Sequence, residues 1–413
     1  MNARLGIEDL GVYAGRAAID VAMLAEARGL NQARFANLLM RRKSLCAPWE
    51  DAVSFAVNAA KPVVEALSPA QRDAIELLVV ATESGLDWGK SAATYVHAHL
   101  DLPRTCRLFE VKQACYGGTA ALQMAIGAIA LSPNPEARAL VIATDLGRPV
   151  PHSYAEPSQG SAAVALLVSR NPVVLAIETG ASGVHGYEVM DACRPTPEIE
   201  TGDADLSVLS YLDCLEHSYR AYVARQPGVD FVAHFDRLAW HTPFGGMVKG
   251  AHRNMMRKFR QAPPSAAEAD FESRMRPALA FCQEVGNIYS GTVFLALAGA
   301  LATPGLAADR PSRIGLFSYG SGCCSEFYSG TTDAAGAARV RSRDIGAHLA
   351  ARRDVDMPRY ETLIARTRDG MIGARSGTPP RDGVEALYDD AFAGTGLLVL
   401  DRIENYRRIY RWA

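Results

Sequence analysis

The chain has 413 residues, 49% of them hydrophobic and 21% charged, which is the composition of a globular protein with enough mass for two cores. A formal net charge of −2 gives no overall attraction to nucleic acid or to an anionic membrane, so a partner bound by charge must meet a local patch. Charges at Arg4, Glu8 and Asp9 exclude the apolar core of a signal peptide, and we expect no apolar run of about 18 residues. We therefore predict a cytoplasmic protein.

Eight cysteines are spread along the chain without a CxxC pair and without the Cys/His spacing of a zinc site. In a reducing compartment we expect most of them to be packing residues and one to be a nucleophile. The sequence predicts no metal and no disulfide.

The first half alternates between apolar strands and helices. An amphipathic pattern over 16–40 predicts a helix, and a second helix is predicted after Asp51 with a kink or a break at Pro62. Short connections join the segments that follow, which is typical of a parallel or mixed sheet with helices on both faces. The predicted segments are strand 75–82, helix 92–99, strand 106–111, helix 118–131, strand 139–145 and strand 162–168.

A lone cysteine stands at the start of an apolar, small-residue helix in 110–131, EVKQACYGGTAALQMAIGAIAL. We expect a tight backbone bend at Gly117 and Gly118. The positive end of the helix dipole should lower the pKa of Cys115 and make it a nucleophile that forms a thioester. The alternative is that Cys115 is a small buried hydrophobe.

A glutamate follows the buried strand 75–82. In α/β proteins, the carboxyl ends of the strands are where ligands bind, so Glu83 is a candidate functional carboxylate. Its alternatives are a helix cap and a surface ion pair.

The second half repeats the first. Gly118-Thr119 and Gly291-Thr292 lie 173 positions apart (291 − 118), and each pair opens a small-residue helix. His241 ends a short apolar strand, and Asn287 falls within a residue of the repeat position of Cys115. An internal repeat predicts two similar units whose helix starts share one cleft. His241 as a core histidine and Asn287 as a turn residue are the alternatives.

The repeat suggests two domains, 1–170 and 171–413. Between the repeated parts, residues 186–223 resemble an inserted loop and helix that would cap the cleft. The tail after about residue 331 is charged and is predicted to be helical, except for LLVLDRI near its end.

Five motifs occur in order: ATESG with Glu83, QACYGGTAAL with Cys115, HTPFGGMVKGAHRN with His241, GNIYSG with Asn287, and FSYGSG at Phe317. Together they resemble the 3-hydroxy-3-methylglutaryl (HMG) synthases among the thiolase-like condensing enzymes, over almost the whole chain. The resemblance implies an α/β, thiolase-like fold in which two βαβαβ-type halves form a five-layered αβαβα arrangement. It also implies a homodimer.

The resemblance also assigns roles. Cys115 carries the acetyl group, while Glu83 removes its α-proton and later protonates the new alkoxide. His241 and Asn287 orient the acceptor, and backbone N–H groups at Cys115 and around Gly320-Ser321 form an oxyanion hole. No metal or redox cofactor is implied.

Further segments, such as YAEPSQGSA and SYGSGCCSEFYSG, resemble the branch that installs β-branches in polyketides. The coenzyme A enzymes tend to carry a lysine at the place of Gly246, so this chain fits a ligand without a nucleotide. The connection from Arg148 to Tyr154 is shorter than this branch usually has. The predicted reaction condenses an acetyl unit from an acetyl-acyl carrier protein (acetyl-ACP) with a β-ketoacyl-ACP.

Three other functions remain open at this point: the coenzyme A enzyme of primary metabolism, a non-catalytic carrier-binding scaffold and a decarboxylating ketosynthase. A basic run, 249–260, is a candidate surface for the carrier proteins, although such runs are usually only solvated faces. Its candidate contact residues are Lys249, Arg253, Arg257 and Lys258.

Overall fold

The computed structural model of the protein describes residues 4–31, 35–153, 155–196, 199–307, 309–368 and 370–413. Its strands are β1 (Leu5–Tyr13), β2 (Ala17–Asp20), β3 (Arg42–Leu45), β4 (Ile75–Ala81), β5 (Arg107–Val111), β6 (Arg138–Asp145), β7 (Ala162–Ser169), β8 (Leu175–Gly186), β9 (Ala192–Thr196), β10 (Ile199–Gly202), β11 (Arg237–Trp240), β12 (Ser312–Gly320), β13 (Cys324–Thr332), β14 (Arg353–Asp354), β15 (Leu398–Glu404) and β16 (Arg407–Trp412). Its α-helices are α1 (Val21–Ala27), α2 (Ala52–Glu65), α3 (Pro69–Asp73), α4 (Ala92–His97), α5 (Gly117–Leu131), α6 (Ala204–Arg225), α7 (Gly245–Arg260), α8 (Pro264–Asp270), α9 (Leu279–Val285), α10 (Thr292–Ala302), α11 (Ala334–Ser342), α12 (Ile345–Ala350), α13 (Met357–Thr367) and α14 (Glu385–Ala391).

The described residues form a large mixed sheet with the strand order β11-β12-β13-β8-β1-β7-β6-β4-β5. Strand β4 runs parallel to β5 and β6, and β11 runs parallel to β12, whereas the other neighbours are antiparallel. Strand β1 pairs with both β7 and β8, so the two halves share one hydrogen-bonded sheet. The mixed sheet of the prediction is confirmed.

Alternating side chains build five layers, because successive residues of a strand point to opposite faces. Val79 packs with α5 and α10 in a middle layer, whereas Val80 packs with α2 and α4 on the outer face. In the other half, Leu316 faces the same middle layer and Phe317 packs with α6 and α7. The α/β, thiolase-like arrangement therefore has the predicted order of layers.

The helix predicted over 16–40 is largely wrong, whereas the helix predicted after Asp51 is confirmed. Residues 17–20 form β2, which pairs with β3 and β14, because Ala17 and Ile19 are buried in a separate small core. Helix α1 covers only part of the predicted segment, and residues 32–34 lie outside the described residues. Helix α2 continues through Pro62 without a break.

The predicted cap consists of two different parts. Helix α6 packs against β8 and β13 through Tyr211, Tyr219 and Tyr222, so it is an outer layer of the fold and not a lid. The β9–β10 hairpin extends toward Glu83 through Arg194. The sequence prediction of a capping helix is therefore wrong, because its apolar face is used by the sheet.

One further expectation is wrong. We expected no apolar run of about 18 residues. The segment Ala114–Leu131 is nevertheless long and apolar enough to cross a membrane, by length and composition alone. In this fold the stretch forms α5, whose Leu122 and Ala125 are buried in the middle layer. A core helix buried between two layers has the same composition. The mainly helical tail and its LLVLDRI exception, which forms β15, are as predicted, whereas β16 was not predicted.

Candidate active site

Glu83 lies just after β4, in a turn fixed by a buried carboxylate. Asp145, at the end of the neighbouring strand β6, accepts hydrogen bonds from the Glu83 backbone N–H at 2.8 Å and from the hydroxyls of Thr82 and Ser84 at 3.1 Å. The Glu83 side chain is 17% exposed. Its position at the carboxyl end of a buried strand is the one predicted.

Asp145 also connects the two halves of the molecule. It accepts from the backbone N–H of Ser290 at 3.1 Å and from the Ser290 hydroxyl. Helix α5 packs closely against Ser290. A Cβ added to Gly118 of α5 would lie 2.3 Å from the Ser290 carbonyl oxygen. The two helix starts therefore meet at one place, as the repeat predicts.

Cys115 faces Glu83 directly. Its thiol donates to the Glu83 carboxylate with Sγ 3.6 Å from Oε1, and the residue is only 9% exposed. The tight bend is at Ala114, which has a φ of 44°, and not at Gly117 or Gly118, which are part of α5. Gly118 instead permits close helix packing, because a Cβ there would lie 2.9 Å from the Phe294 ring.

The predicted lowering of the cysteine pKa is wrong. Burial raises the pKa of Cys115 well above its usual value, and the carboxylates of Glu83 and Asp145 raise it further. A thiol in this setting is protonated until a base removes the proton. The base within reach is Glu83.

Burial also raises the pKa of the Glu83 carboxyl, and the negative charge of Asp145 acts in the same direction. The guanidinium of Arg194 opposes this shift, since it favours the carboxylate form of Glu83. The pKa of this carboxyl therefore lies above the ordinary range of glutamate, which suits a group that both accepts and returns a proton.

Arg194 and Glu200 were not predicted from the sequence. They lie on the β9–β10 hairpin, where Arg194 pairs with Glu200 at 2.7 Å and approaches the Glu83 carboxylate at 3.7 Å. The Arg194 guanidinium also lies over the ring of Tyr289, 5.1 Å from its centroid. The hairpin thus places one cation against the catalytic pair.

His241 directly follows β11. Its backbone N–H donates to the Phe317 carbonyl oxygen of β12 at 2.7 Å, and its own carbonyl oxygen accepts from the Tyr211 hydroxyl at 2.8 Å. The ring is buried, and within the described residues its Nδ1 has no hydrogen-bond partner. Burial lowers the pKa of His241 to about 3, so the imidazole is neutral.

Asn287 is held by its oxygen and presents its amide nitrogen. Its Oδ1 accepts from the Tyr289 backbone N–H at 3.0 Å and from the Thr292 hydroxyl at 2.9 Å. Among the described residues no acceptor pairs with its Nδ2. Asn287 is therefore a turn residue, which was the alternative to a functional role. Its amide nitrogen is also available as an N–H donor.

Strand β12 ends against the nucleophile turn. A Cβ added to Gly320 would lie 2.5 Å from the carbonyl oxygen of Gln113 and 2.7 Å from the backbone nitrogen of Tyr116. This position excludes any side chain, and Ser321 follows it immediately. The predicted oxyanion segment is thus adjacent to Cys115, and its role stays a prediction.

The predicted carrier-facing residues lie on α7, whose exposed face is partly neutralised. Lys249 pairs with Glu268 at 2.5 Å and Lys258 pairs with Glu216. Arg257 donates to the Asn254 side chain at 3.0 Å. For Arg253, which is exposed, the described part of the chain provides no ion pair.

Comparison with known proteins agrees with this arrangement. Residues 2–172 match the family described as Hydroxymethylglutaryl-coenzyme A synthase N terminal, and residues 252–412 match Hydroxymethylglutaryl-coenzyme A synthase C terminal. The chain is 49% identical to the polyketide biosynthesis 3-hydroxy-3-methylglutaryl-ACP synthase PksG of Bacillus subtilis (strain 168), over 98% of this chain and 99% of that protein. It is 32% identical to the hydroxymethylglutaryl-CoA synthase of Enterococcus faecalis, over 89% of this chain and 93% of that protein.

Solved structures give the same result. The crystal structure of the curacin biosynthetic pathway HMG synthase in complex with acetyl donor-ACP matches with a TM-score of 0.95 and 50% identity, over 99% of this chain and all of that chain. The resemblance found in the motifs is confirmed, and a decarboxylating ketosynthase and a non-catalytic scaffold no longer fit. The chain belongs to the hydroxymethylglutaryl-coenzyme A synthase family of thiolase-like acyltransferases.

Proposed function

We propose that the protein condenses an acetyl unit, delivered by an acetyl-ACP, with a β-ketoacyl-ACP and then releases the product by hydrolysis. One observation carries this proposal: the Cys115 thiol and the Glu83 carboxylate lie 3.6 Å apart in a buried setting. A nucleophile and a base in contact fit an acyl-enzyme reaction with a proton transfer at the same place.

The first step is acetyl transfer. The thiol has a raised pKa, so it needs a base as it attacks the acetyl thioester, and Glu83 is in contact with it. The Cys115 proton passes to Glu83 as the new S–C bond forms. The bond between the acetyl carbon and the carrier's sulfur breaks, and the departing thiolate takes up the proton from Glu83, which becomes a carboxylate again.

The second step makes a carbon nucleophile. Glu83, again a carboxylate, removes a proton from the methyl group of acetyl-Cys115. The enolate oxygen then needs donors, and the backbone N–H groups at Cys115 and around Gly320-Ser321 are our candidates, because β12 ends against the nucleophile turn. A raised pKa makes Glu83 a stronger base than an ordinary carboxylate.

The third step forms the branch. The enolate carbon attacks the β-ketone of the acceptor, and the protonated Glu83 gives its proton to the alkoxide. A neutral His241 ring and the Asn287 amide nitrogen orient the acceptor without adding charge. Water then cleaves the thioester at Cys115, which leaves a 3-hydroxy-3-carboxymethyl acyl chain on the carrier. These steps use side chains and backbone N–H groups of the protein, so we propose no cofactor beyond the carriers' phosphopantetheine arm.

A carrier-bound substrate is favoured over coenzyme A for two reasons. PksG is named an ACP synthase, and the curacin enzyme has been crystallised with its donor ACP. In addition, a Cβ added at Gly246 would lie 1.7 Å from the carbonyl oxygen of Asn37, so the lysine typical of coenzyme A enzymes has no room here. Of the basic residues on α7, Arg253 and Arg257 are the better candidates to face an acidic carrier, since Lys249 and Lys258 already have acidic partners.

We further propose a homodimer that works in the cytoplasm. Strand β5 ends the large sheet, and its outer edge has no pairing strand among the described residues. An unpaired edge is a natural place for a second copy to add its strand. All eight cysteines are free, which suits a reducing compartment.

The test is intact-protein mass spectrometry after mixing the enzyme separately with acetyl-ACP and acetyl coenzyme A. We expect a single acetyl adduct that forms faster from the carrier. The adduct should be lost in Cys115→Ala and kept in Cys106→Ala, a variant of a second buried cysteine. Faster loading from coenzyme A would indicate the primary-metabolism enzyme, and no adduct from either donor would contradict catalysis through Cys115.

A further inference from the structure

The contact between Cys115 and Glu83 lies in a negatively charged setting. The carboxylates of Asp145 and Glu200 both raise the pKa of Glu83. Among the described residues, Arg194 is the cation that contacts Glu83, with its Nη1 3.7 Å from Oε2. A further negative charge at this place is therefore unfavourable unless Arg194 binds it.

Hydrolysis, the last step of the proposed reaction, creates such a charge. Water adds to the carbonyl carbon on the Cys115 sulfur, and the bond between this carbon and the sulfur then breaks. One water proton passes through Glu83 to the sulfur, and the other is released when the new acid ionises. Because Sγ lies 3.6 Å from Oε1 of Glu83, the product carboxylate forms beside a carboxylate that is already present. Like charges in a buried setting repel each other strongly.

The guanidinium of Arg194 has donors available for this carboxylate. Its Nη2 donates to Glu200 at 2.7 Å. Its Nη1 forms no hydrogen bond with the described part of the chain, since 3.7 Å to Glu83 is too long for one. The side chain is 16% exposed, so it is largely shielded from water and still accessible. A guanidinium binds a carboxylate through charge-assisted hydrogen bonds, often two at once.

Neighbouring side chains hold the guanidinium in this position. It lies over the ring of Tyr289, 5.1 Å from the centroid. Its partner Glu200 also accepts from Nε2 of Gln159 at 3.0 Å. The backbone on either side of Gln159 forms hydrogen bonds with Asn287, at 2.7 Å and 2.9 Å. A cation that is already fixed loses little conformational freedom when the carboxylate forms.

We propose that Arg194 is a catalytic residue of the hydrolytic step, where it binds the carboxylate that forms as the product leaves Cys115. The inference rests on the proposed function, because only an acyl-Cys115 that is released by water produces a carboxylate here. Glu200 is then a positioning residue, which holds Nη2 and leaves Nη1 to the product. This role is distinct from the effect of Arg194 on the ionisation of Glu83, which also acts on the earlier steps.

The test follows the species that precedes hydrolysis. After condensation, the product joins Cys115 to the acceptor ACP, so the enzyme carries the mass of one ACP until water releases it. Preformed acetyl-enzyme is mixed with acetoacetyl-ACP, quenched in acid at intervals and measured by intact-protein mass spectrometry. In Arg194→Gln this enzyme–ACP species should accumulate and decay roughly tenfold more slowly than in the wild type. Arg194→Lys keeps the charge and should decay at an intermediate rate.

A control and a second measurement accompany this test. Arg220→Gln is the matched control, because Arg220 also pairs with a glutamate, Glu216, but is exposed, and its decay should equal that of the wild type. Formation of acetyl-Cys115 shows that the site of each variant is folded. The product, 3-hydroxy-3-methylglutaryl-ACP, should inhibit this acetylation roughly tenfold more weakly in Arg194→Gln than in the wild type, because its carboxylate has lost the cation.

Three results would overturn the inference. The first is decay of the enzyme–ACP species in Arg194→Gln at the wild-type rate, and the second is equal inhibition of both enzymes by the product. The third is a slow decay that recovers fully between about pH 7 and about pH 9.5, since Arg194 then acts only through the ionisation of Glu83. If the wild-type enzyme forms no acetyl-Cys115, or does not condense acetoacetyl-ACP, the proposed function itself fails.

Discussion

Helices α5 and α10 both begin at the reaction site, but different groups surround their starts. Two carboxylates, Glu83 and Asp145, lie at the start of α5 beside Cys115. The groups assigned to the second half, His241 and Asn287, are uncharged. The carboxylates at the start of α5 can therefore transfer protons, whereas His241 and Asn287 can only bind and orient the acceptor.

Burial produces this difference with a single physical effect. It disfavours the charged form of any group, so it raises the pKa of the Glu83 carboxyl and lowers the pKa of His241 to about 3. The raised pKa brings Glu83 toward the working pH, whereas the lowered one takes His241 out of titration. The same desolvation therefore makes one group reactive and the other inert toward protons.

Glu83→Gln tests the proton-transfer side, and it should have the largest effect among these variants. We expect acetyl-Cys115 to form more slowly, because the thiol loses the base that accepts its proton, and condensation from acetyl-enzyme to fall by about 10²–10⁴-fold, the usual worth of a general acid–base group. Single-turnover assays with preformed acetyl-enzyme measure the second step alone. Glu76→Gln, at the opposite end of β4, is the control and should retain the wild-type rate. Condensation at the wild-type rate in Glu83→Gln would show that Glu83 is not the general base.

Gly320→Ala tests the contact between the two sides. The added Cβ would lie 2.5 Å from the Gln113 carbonyl oxygen, so the turn that carries Cys115 must move. We expect acetylation to slow by roughly 10–100-fold and the free energy of unfolding to fall by about 1–3 kcal/mol. Time courses of acetyl-Cys115 formation, quenched at intervals, measure the first effect, and urea denaturation measures the second. Gly250→Ala, where the added Cβ meets nothing within 4 Å, should retain the acetylation rate and, inside helix α7, raise the free energy of unfolding by up to about 1 kcal/mol.

The sequence predicted the parts of the site that strand ends and the repeat determine. Glu83 and His241 follow buried strands, and the starts of the two repeated helices meet through Gly118 and Ser290. Such positions follow from periodicity and topology alone. Asp145 could have been found in the same way, since it ends β6 just as Glu83 follows β4.

Two features of the site could not be predicted. Arg194 lies on a hairpin without apolar periodicity, so only the tertiary structure brings it to Glu83. The pKa of Cys115 was predicted with the wrong sign, because the helix dipole is worth at most about 2 kcal/mol, whereas full burial shifts a pKa by up to 3–5 units, roughly 4–7 kcal/mol. Burial at Cys115 depends on the packing of both halves, which no local pattern shows.

Arg194→Gln tests whether the hairpin controls the proton-transfer side. Arg194 favours the carboxylate form of Glu83, so its removal should raise the Glu83 pKa further. The rate of condensation rises with pH as Glu83 ionises, and this rise should move to higher pH by about one pH unit. The pH dependence of kcat measures it, with Arg220→Gln, an exposed ion-pair variant, as control. If the rise in kcat moves to lower pH or does not move, Arg194 does not favour the ionised form of Glu83.

His241→Gln tests the uncharged side through stability. The folded state lowers the His241 pKa from 6.5 to about 3, so its contribution is fully present above pH 6.5 and is lost as pH falls toward 3. Between pH 7 and 4.5 the wild type should therefore lose about 2 kcal/mol of unfolding free energy more than His241→Gln does. Urea denaturation at the two pH values measures this difference. Equal losses in the wild type and His241→Gln would mean that the ring is solvated, and the second half would then also carry charge in acid.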